Sequence, residues 1–102
     1  MERNDKSIQE IIEKIVTLLQ ANDEKVWANY LKQLSFEYEN LDKREKAIKK
    51  ILKIYEGGMG SFSDLVLQRN YKMLVNENNQ LAILKHELYN ACLGYCSNNK
   101  IN

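Results

Sequence analysis

The sequence has no proline and only four glycines, so few residues interrupt long helices. It also has no run of about 18 apolar residues, which excludes a transmembrane helix. Residues 1–6 are charged and polar rather than apolar, so we expect no signal peptide and predict a cytoplasmic protein. The two cysteines both lie near the C-terminus and do not make a disulfide framework.

An excess of charge of one sign is also lacking. Fifteen basic and fourteen acidic residues give a formal net charge of +1. This balance provides no overall attraction to nucleic acid or to an anionic membrane. A length of 102 residues suits one domain, and we predict that residues 1–102 form it.

Apolar residues recur at helical spacing in the first half of the chain. A capping box formed by Ser7 and Glu10 predicts a first helix at residues 7–20. Asn22 or Asp23 is expected to cap a second helix at residues 24–39. The buried face of this second helix is predicted to contain Trp27, Tyr30, Leu31, Leu34 and Tyr38.

Two more helices are predicted downstream. Asp42 and Glu45 repeat the capping-box spacing before a third helix, which we expect to end with Gly57 or Gly58 as its C-cap. Asn76 or Asn78 is expected to cap the last helix. The last helix is predicted to bury Leu81, Leu84, Leu88, Cys92 and Tyr95. The predicted fold class is therefore all-α, a compact bundle of about four helices.

Residues 61–75 have two open interpretations. Ser61 and Asp64 are suited to opening a short extra helix. The apolar runs on either side of residues 68–70 are equally suited to a small hairpin around a polar turn. A two-stranded hairpin is only marginally stable alone, so it would have to pack on the helices.

Three of the four glycines fall within residues 57–60. Glycine permits positive φ angles and a close approach of the backbone. No lysine follows as in a phosphate-binding loop, and no strand precedes as in a dinucleotide fingerprint. The glycines therefore indicate either a tight chain reversal that packs Met59 and Phe62 into the core, or a loop that binds a partner.

Residues 55–67 read Tyr-Glu-Gly-Gly-Met-Gly-Ser-Phe-Ser-Asp-Leu-Val-Leu. This run resembles the signature Leu-Tyr-Gly-Gly-Met-Gly-Ser-Phe-Asn-Asp-Leu-Val-Leu of a small uncharacterised bacterial domain family. Trp27, the pair Asn76-Glu77 and Cys92 resemble the flanks of that signature, so the resemblance covers about residues 8–95. The chain departs from the signature at Glu56 and Ser63. The resemblance implies no activity, but the family is similar to small proteins found among toxin-immunity genes.

Other combinations of residues offer little chemistry. Ser61 or Ser63 with His86 and Asp64 would be the available catalytic group, but no motif places them together. His86, Cys92 and Cys96 supply three metal ligands without a fourth, which is inadequate for structural zinc. We therefore predict no catalytic, cofactor-binding or metal-binding residues.

We expect a non-enzymatic protein-binding domain, most concretely an immunity-type inhibitor that occludes a bacterial toxin. The residues expected to bind the partner lie on the Gly-rich loop and at the acidic end of helix two: Gly58, Met59, Gly60, Ser61, Ser63, Asp64, Glu37, Tyr38 and Glu39. One alternative is a nucleic-acid-associated module that uses the lysine stripe of helix three, Lys46, Lys49, Lys50 and Lys53. The other is a small ligand-binding or enzymatic protein with its site at the Gly-rich loop.

Overall fold

The structure, a computed structural model, describes residues 4–56 and 61–99, and side chains from residue 8 onwards. These residues form the helices α1 (Asn4–Ala21), α2 (Lys25–Glu39), α3 (Arg44–Ile54) and α4 (Val75–Asn99). Between α3 and α4 lie a short 3₁₀ helix (Phe62–Asp64) and an antiparallel hairpin of two strands, β1 (Gln68–Arg69) and β2 (Lys72–Met73). The predicted all-α bundle of about four helices is confirmed.

The four helices pack as a closed ring, in which α1 contacts α2 and α4, and α3 contacts the same two helices. Their apolar stripes meet along the axis of this ring, where burial of apolar surface stabilises the fold. The largest fully buried side chains are Tyr38, Phe62, Ile8, Ile12, Ile15, Leu19, Leu31, Leu34, Ile48, Ile51, Leu81 and Leu88. No helix in the described ranges is long and apolar enough to cross a membrane.

Helix α1 begins at Asn4, so Ser7 lies inside the helix and the predicted capping box does not open it. No helix-breaking residue stands between Asn4 and Ser7, and the helix continues through them. Asn22 and Asp23 do not cap α2 either, because Glu24 occupies the N-cap position.

The segment between α1 and α2 instead closes the end of α1. Asp23 has a φ angle of 62°. The Asp23 N–H donates a hydrogen bond to the Gln20 carbonyl at 3.3 Å, and the Glu24 N–H donates one to the Leu19 carbonyl at 2.9 Å. This pair of bonds is the Schellman motif, with Asp23 in the left-handed position that glycine usually takes. The C-terminal carbonyls of α1 are thereby satisfied.

Helix α3 starts later than predicted, with Lys43 rather than Asp42 at its N-cap. Asn40 organises this turn, because its side-chain oxygen accepts the N–H of Asp42 at 2.9 Å and its carbonyl accepts that of Lys43 at 2.9 Å. Asn40 therefore shapes the turn between α2 and α3, whereas the N-cap residue of α3 makes no side-chain capping bond. Helix α3 ends at Ile54 with Tyr55 as its C-cap. The predicted glycine C-cap, at residue 57 or 58, lies outside the described residues.

Both interpretations of residues 61–75 occur, one after the other. The 3₁₀ helix comes first and the hairpin follows, with Arg69 paired to Lys72 across its turn. Asn70 and Tyr71 form the turn, with φ angles of 53° and 66°. Positive φ at both central residues is typical of a type I′ turn, whose twist matches that of the strands.

Asn78 joins the hairpin to α4. Its side-chain oxygen accepts the N–H of Leu67 at 2.7 Å, and its amide nitrogen donates to the carbonyl of Leu67 at 2.9 Å. The carbonyl of Leu74, which faces Leu67 along the ladder, already accepts the backbone N–H of Asn78 at 2.8 Å. The Asn78 side chain therefore replaces Leu74 as the acceptor where the strand becomes a helix. Because α4 begins at Val75, neither Asn76 nor Asn78 is its N-cap.

We expect Asn78→Ala to lower the free energy of unfolding by about 1–3 kcal/mol, because it leaves the partly buried N–H of Leu67 without a partner and removes one of the two hydrogen bonds to the Leu67 carbonyl. Asn79→Ala is the matched control, since the exposed Asn79 is its neighbour in the same helix. The control should stay within about 0.5 kcal/mol of wild type. Urea denaturation measures both variants, and equal losses would contradict the role given to Asn78.

Candidate functional site

Phe62 anchors the chain after the Gly-rich loop, as predicted. Its side chain is fully buried. The ring centre lies 5.2 Å from that of Trp27 on α2 and 5.3 Å from that of Tyr55 at the end of α3. These distances are typical of favourable aromatic pairs. One ring therefore ties the 3₁₀ helix to two helices of the bundle.

Lys85 on α4 holds the same segment through its ammonium group. The Nζ atom donates to the carbonyls of Phe62 at 3.1 Å, Ser63 at 3.2 Å and Leu65 at 3.0 Å. An ammonium has three N–H donors, so all three are used. Burial lowers the pKa of Lys85, and the nearby Asp64 carboxylate opposes that shift. The carbonyls of the 3₁₀ helix and the residue after it are thus satisfied by a charged side chain.

Tyr55 reinforces this attachment from the other side. Its hydroxyl donates to the backbone carbonyl of Lys85 at 2.6 Å, and burial raises the pKa of this phenol. Its own carbonyl accepts the hydroxyl of Ser63 at 2.7 Å. The end of α3, the 3₁₀ helix and α4 are therefore joined by reciprocal hydrogen bonds.

The predicted loop residues are only partly described. Gly58, Met59 and Gly60 lie outside the described residues. Ser61 occupies the N-cap position of the 3₁₀ helix, but its hydroxyl makes no capping bond and is buried without a hydrogen-bond partner among the described residues. Ser63 and Asp64 are exposed, and the Ser63 hydroxyl is engaged by Tyr55.

The acidic end of α2 is largely occupied by internal contacts. Lys50 contacts Glu37 at 3.0 Å and, with Gln33, holds the pKa of that carboxyl below its usual value of 4.5. Glu39 accepts a hydrogen bond from Gln9 at 2.6 Å. Tyr38 is buried, with the Arg44 guanidinium 4.5 Å from its ring centre. This burial corrects the expectation that Tyr38 contacts a partner, because its ring completes the apolar stripe of α2.

A shallow cavity of about 500 Å³ lies beside the attached segment, lined by Leu52, Tyr55, Glu56, Ser63, Tyr89 and Leu93. His86 lies at an adjoining recess and contacts the Asn90 amide at 3.0 Å through its Nε2 atom. The structure shows no hydrogen bond between His86 and a serine in the part of the chain it describes. No three metal-binding side chains come together in that part either.

The sequence analysis did not identify Lys85 or Tyr71, and it gave Asn78 a different role, that of a helix cap. Asn78 and Lys85 continue the spacing of the buried Leu81, Leu88 and Cys92 along α4. Polar residues at positions that should be apolar are a usable signal for buried hydrogen bonds. The sequence gave a weaker indication of the turn at Tyr71, because the preceding Asn70 favours a turn but tyrosine does not.

A family model described as a domain of unknown function, DUF6966, matches residues 20–75. The chain belongs to this family. The matched segment of DUF6966 begins at the end of α1 and includes α2, α3, the Gly-rich loop and the hairpin. Asn78 and Lys85, which fasten that segment, lie beyond it in α4. No curated protein and no solved structure matches the chain.

We expect Lys85→Met to lower the free energy of unfolding by about 1–3 kcal/mol, because three carbonyls lose a charged donor. Glu87→Met places methionine at an exposed position on the same helix, and it should change the free energy of unfolding by less than about 0.5 kcal/mol. Thermal and urea melts compare the two variants. A Lys85→Met protein as stable as the control would show that the ammonium does not hold the segment.

The two cysteines should differ in reactivity. Cys92 is fully buried, and burial raises the pKa of its thiol to about 12, whereas Cys96 is only partly buried. At pH 8 we expect iodoacetamide to label Cys96 first and Cys92 only as the protein unfolds. Cys96→Ser should remove the fast phase and leave the slow one. Fast labelling of Cys92 in folded Cys96→Ser protein would contradict its placement in the core.

Proposed function

We propose that this chain is a non-enzymatic protein-binding domain, and most concretely an immunity-type inhibitor that occludes a bacterial toxin. The observation that carries the protein-binding role is the apolar surface of the hairpin. Tyr71 is 99% exposed and Met73 is 55% exposed, and Val75, the first residue of α4, is 67% exposed. Exposed apolar residues that cluster in this way are typical of interaction surfaces. Tyrosine is also among the residues that contribute most to binding energy.

The conformation of Tyr71 supports the same proposal. A left-handed φ angle costs a bulky residue roughly 1–2 kcal/mol, and glycine or asparagine would avoid most of this cost. The ring gains no packing in return, because it lies in solvent. Local strain of this kind is concentrated at functional positions. The fold alone therefore gives no reason for tyrosine at this turn.

The immunity-type role rests on the resemblance of residues 55–67 to the signature of a family that is similar to small proteins found among toxin-immunity genes. The exposed Ser63 and Asp64 lie a few residues before the hairpin, so a partner that binds the hairpin could also contact them. The mechanism would be occlusion, with the bundle as a rigid support.

The nucleic-acid alternative is weakened because lysines of the stripe form ion pairs with glutamates of the same chain. Lys50 contacts Glu37 at 3.0 Å and Lys49 contacts Glu45 at 3.3 Å. Two of the four lysines are thus partly neutralised before any phosphate approaches. The stripe has the features of a solvated helix face.

The test is expression of the protein encoded by the neighbouring gene, with and without this chain. We expect the neighbouring product to arrest bacterial growth, co-expression to restore growth, and the two purified proteins to form a stable complex. The double variant Tyr71→Ala, Met73→Ala should bind at least about tenfold more weakly with an unchanged melting temperature.

Val26→Ala with Phe36→Ala is the matched control, because these side chains are 76% and 73% exposed on α2. The control should bind and protect as wild type does. A non-toxic neighbour, or a toxic one that neither binds nor is neutralised, would contradict the immunity-type role. Retention of nucleic acid that weakens with salt would favour the alternative instead.

A further inference from the structure

The outer edge of β1 carries backbone groups that the hairpin leaves unused. Because the turn has two residues, Arg69 and Lys72 form the hydrogen-bonded pair beside it. The next pair, Gln68 and Met73, is then the one without mutual hydrogen bonds. The bond from the Leu74 N–H to the Leu67 carbonyl, at 3.1 Å, agrees with this alternation. The N–H and C=O of Gln68 therefore point away from β2.

The same alternation turns the backbone groups of Val66 outward. In the described parts of the chain, no backbone hydrogen bond outside the hairpin involves Val66 or Gln68. Both residues are exposed. Strand edges are commonly protected by proline, by inward charges or by a covering element, and Val66 and Gln68 supply neither proline nor charge. This edge is therefore open to another strand.

The charges of the hairpin indicate which strand it would accept. Residues 65–75 contain Arg69 and Lys72 but no carboxylate. The two cations are direct cross-strand partners, and like charges in that position destabilise a hairpin. Arg69 donates to the Asn22 amide oxygen at 3.3 Å, and the structure shows no ion pair of Arg69 with a carboxylate among the residues it describes. A second copy of the chain would add two more cations, whereas carboxylates would relieve the repulsion.

We propose that the edge of β1 binds an extended, carboxylate-rich segment of a partner protein as a third strand of the sheet. Bonds to the backbone of Val66 and Gln68 would supply affinity, and Arg69 and Lys72 would select the acidic side chains. The exposed Met73 and Tyr71 would cover apolar residues of the segment. This proposal deepens the protein-binding function and rests on it.

A random peptide library displayed on phage, selected against the full chain, tests the proposal. We expect enrichment of peptides that are acidic, rich in β-branched residues and free of proline at their centre. Gln68→Pro should weaken the selected peptides about tenfold or more, because it removes an outward N–H while the bonds to β2 remain. Gln68→Ala keeps the N–H and should bind within about twofold of wild type.

Two further measurements test strand addition without the proline variant, in case proline disturbs the hairpin. Amide exchange of Val66 and Gln68 should slow when a selected peptide binds. Selection against Lys72→Glu should shift enrichment from acidic peptides to less acidic ones. Enrichment of basic or helical peptides, or no enrichment at all, would overturn strand addition. So would a peptide that binds Gln68→Pro as tightly as wild type and does not slow amide exchange of Val66 and Gln68 in the wild-type chain. If Gln68→Pro still neutralises the toxin, strand addition is wrong while the proposed function stands.

Discussion

Helix four supplies the polar groups on which the segment between α3 and α4 depends. Asn78 satisfies both backbone groups of Leu67, and Lys85 satisfies the carbonyls of Phe62, Ser63 and Leu65. This segment has one 3₁₀ turn and two strands of two residues each, so hydrogen bonds within its own backbone satisfy only some of its N–H and C=O groups. Two side chains, two helical turns apart on α4, thus make hydrogen bonds to the backbone that the neighbouring strands of a longer sheet would otherwise make.

These attachments also place the aromatic core. Phe62 can be buried against Trp27 and Tyr55 because the carbonyls on either side of its ring have partners when they leave water. The Tyr55 hydroxyl then bonds back to the carbonyl of Lys85, so that the ring and the ammonium support each other. Packing and hydrogen bonding therefore support each other at this point of the fold.

The sequence predicted the helices better than their ends. The apolar stripe of α4 placed Leu81, Leu84, Leu88 and Cys92 correctly, because periodicity reports burial directly. The capping boxes at Ser7 and Asp42 were wrong, since the spacing of a cap also occurs by chance inside helices and turns. The roles of Asn78 and Lys85 depend on contacts between distant parts of the chain, which local patterns do not report. Tyr38 was wrongly predicted to contact a partner because its acidic neighbours, Glu37 and Glu39, suggested an exposed position. Its place in the apolar stripe of α2 indicated a buried one.

The base and the tip of the hairpin obey different constraints. At the base, the backbone of Leu67 is satisfied by Asn78, and local preferences agree with the fold. At the tip, Tyr71 has a left-handed backbone, Arg69 faces Lys72, and Met73 lies in solvent. Glycine at residue 71 and opposite charges across the turn would suit the fold better. Conflicts with local rules that gather at one end of an otherwise consistent element are expected at functional sites, and this is the ground on which we propose that the tip binds another molecule.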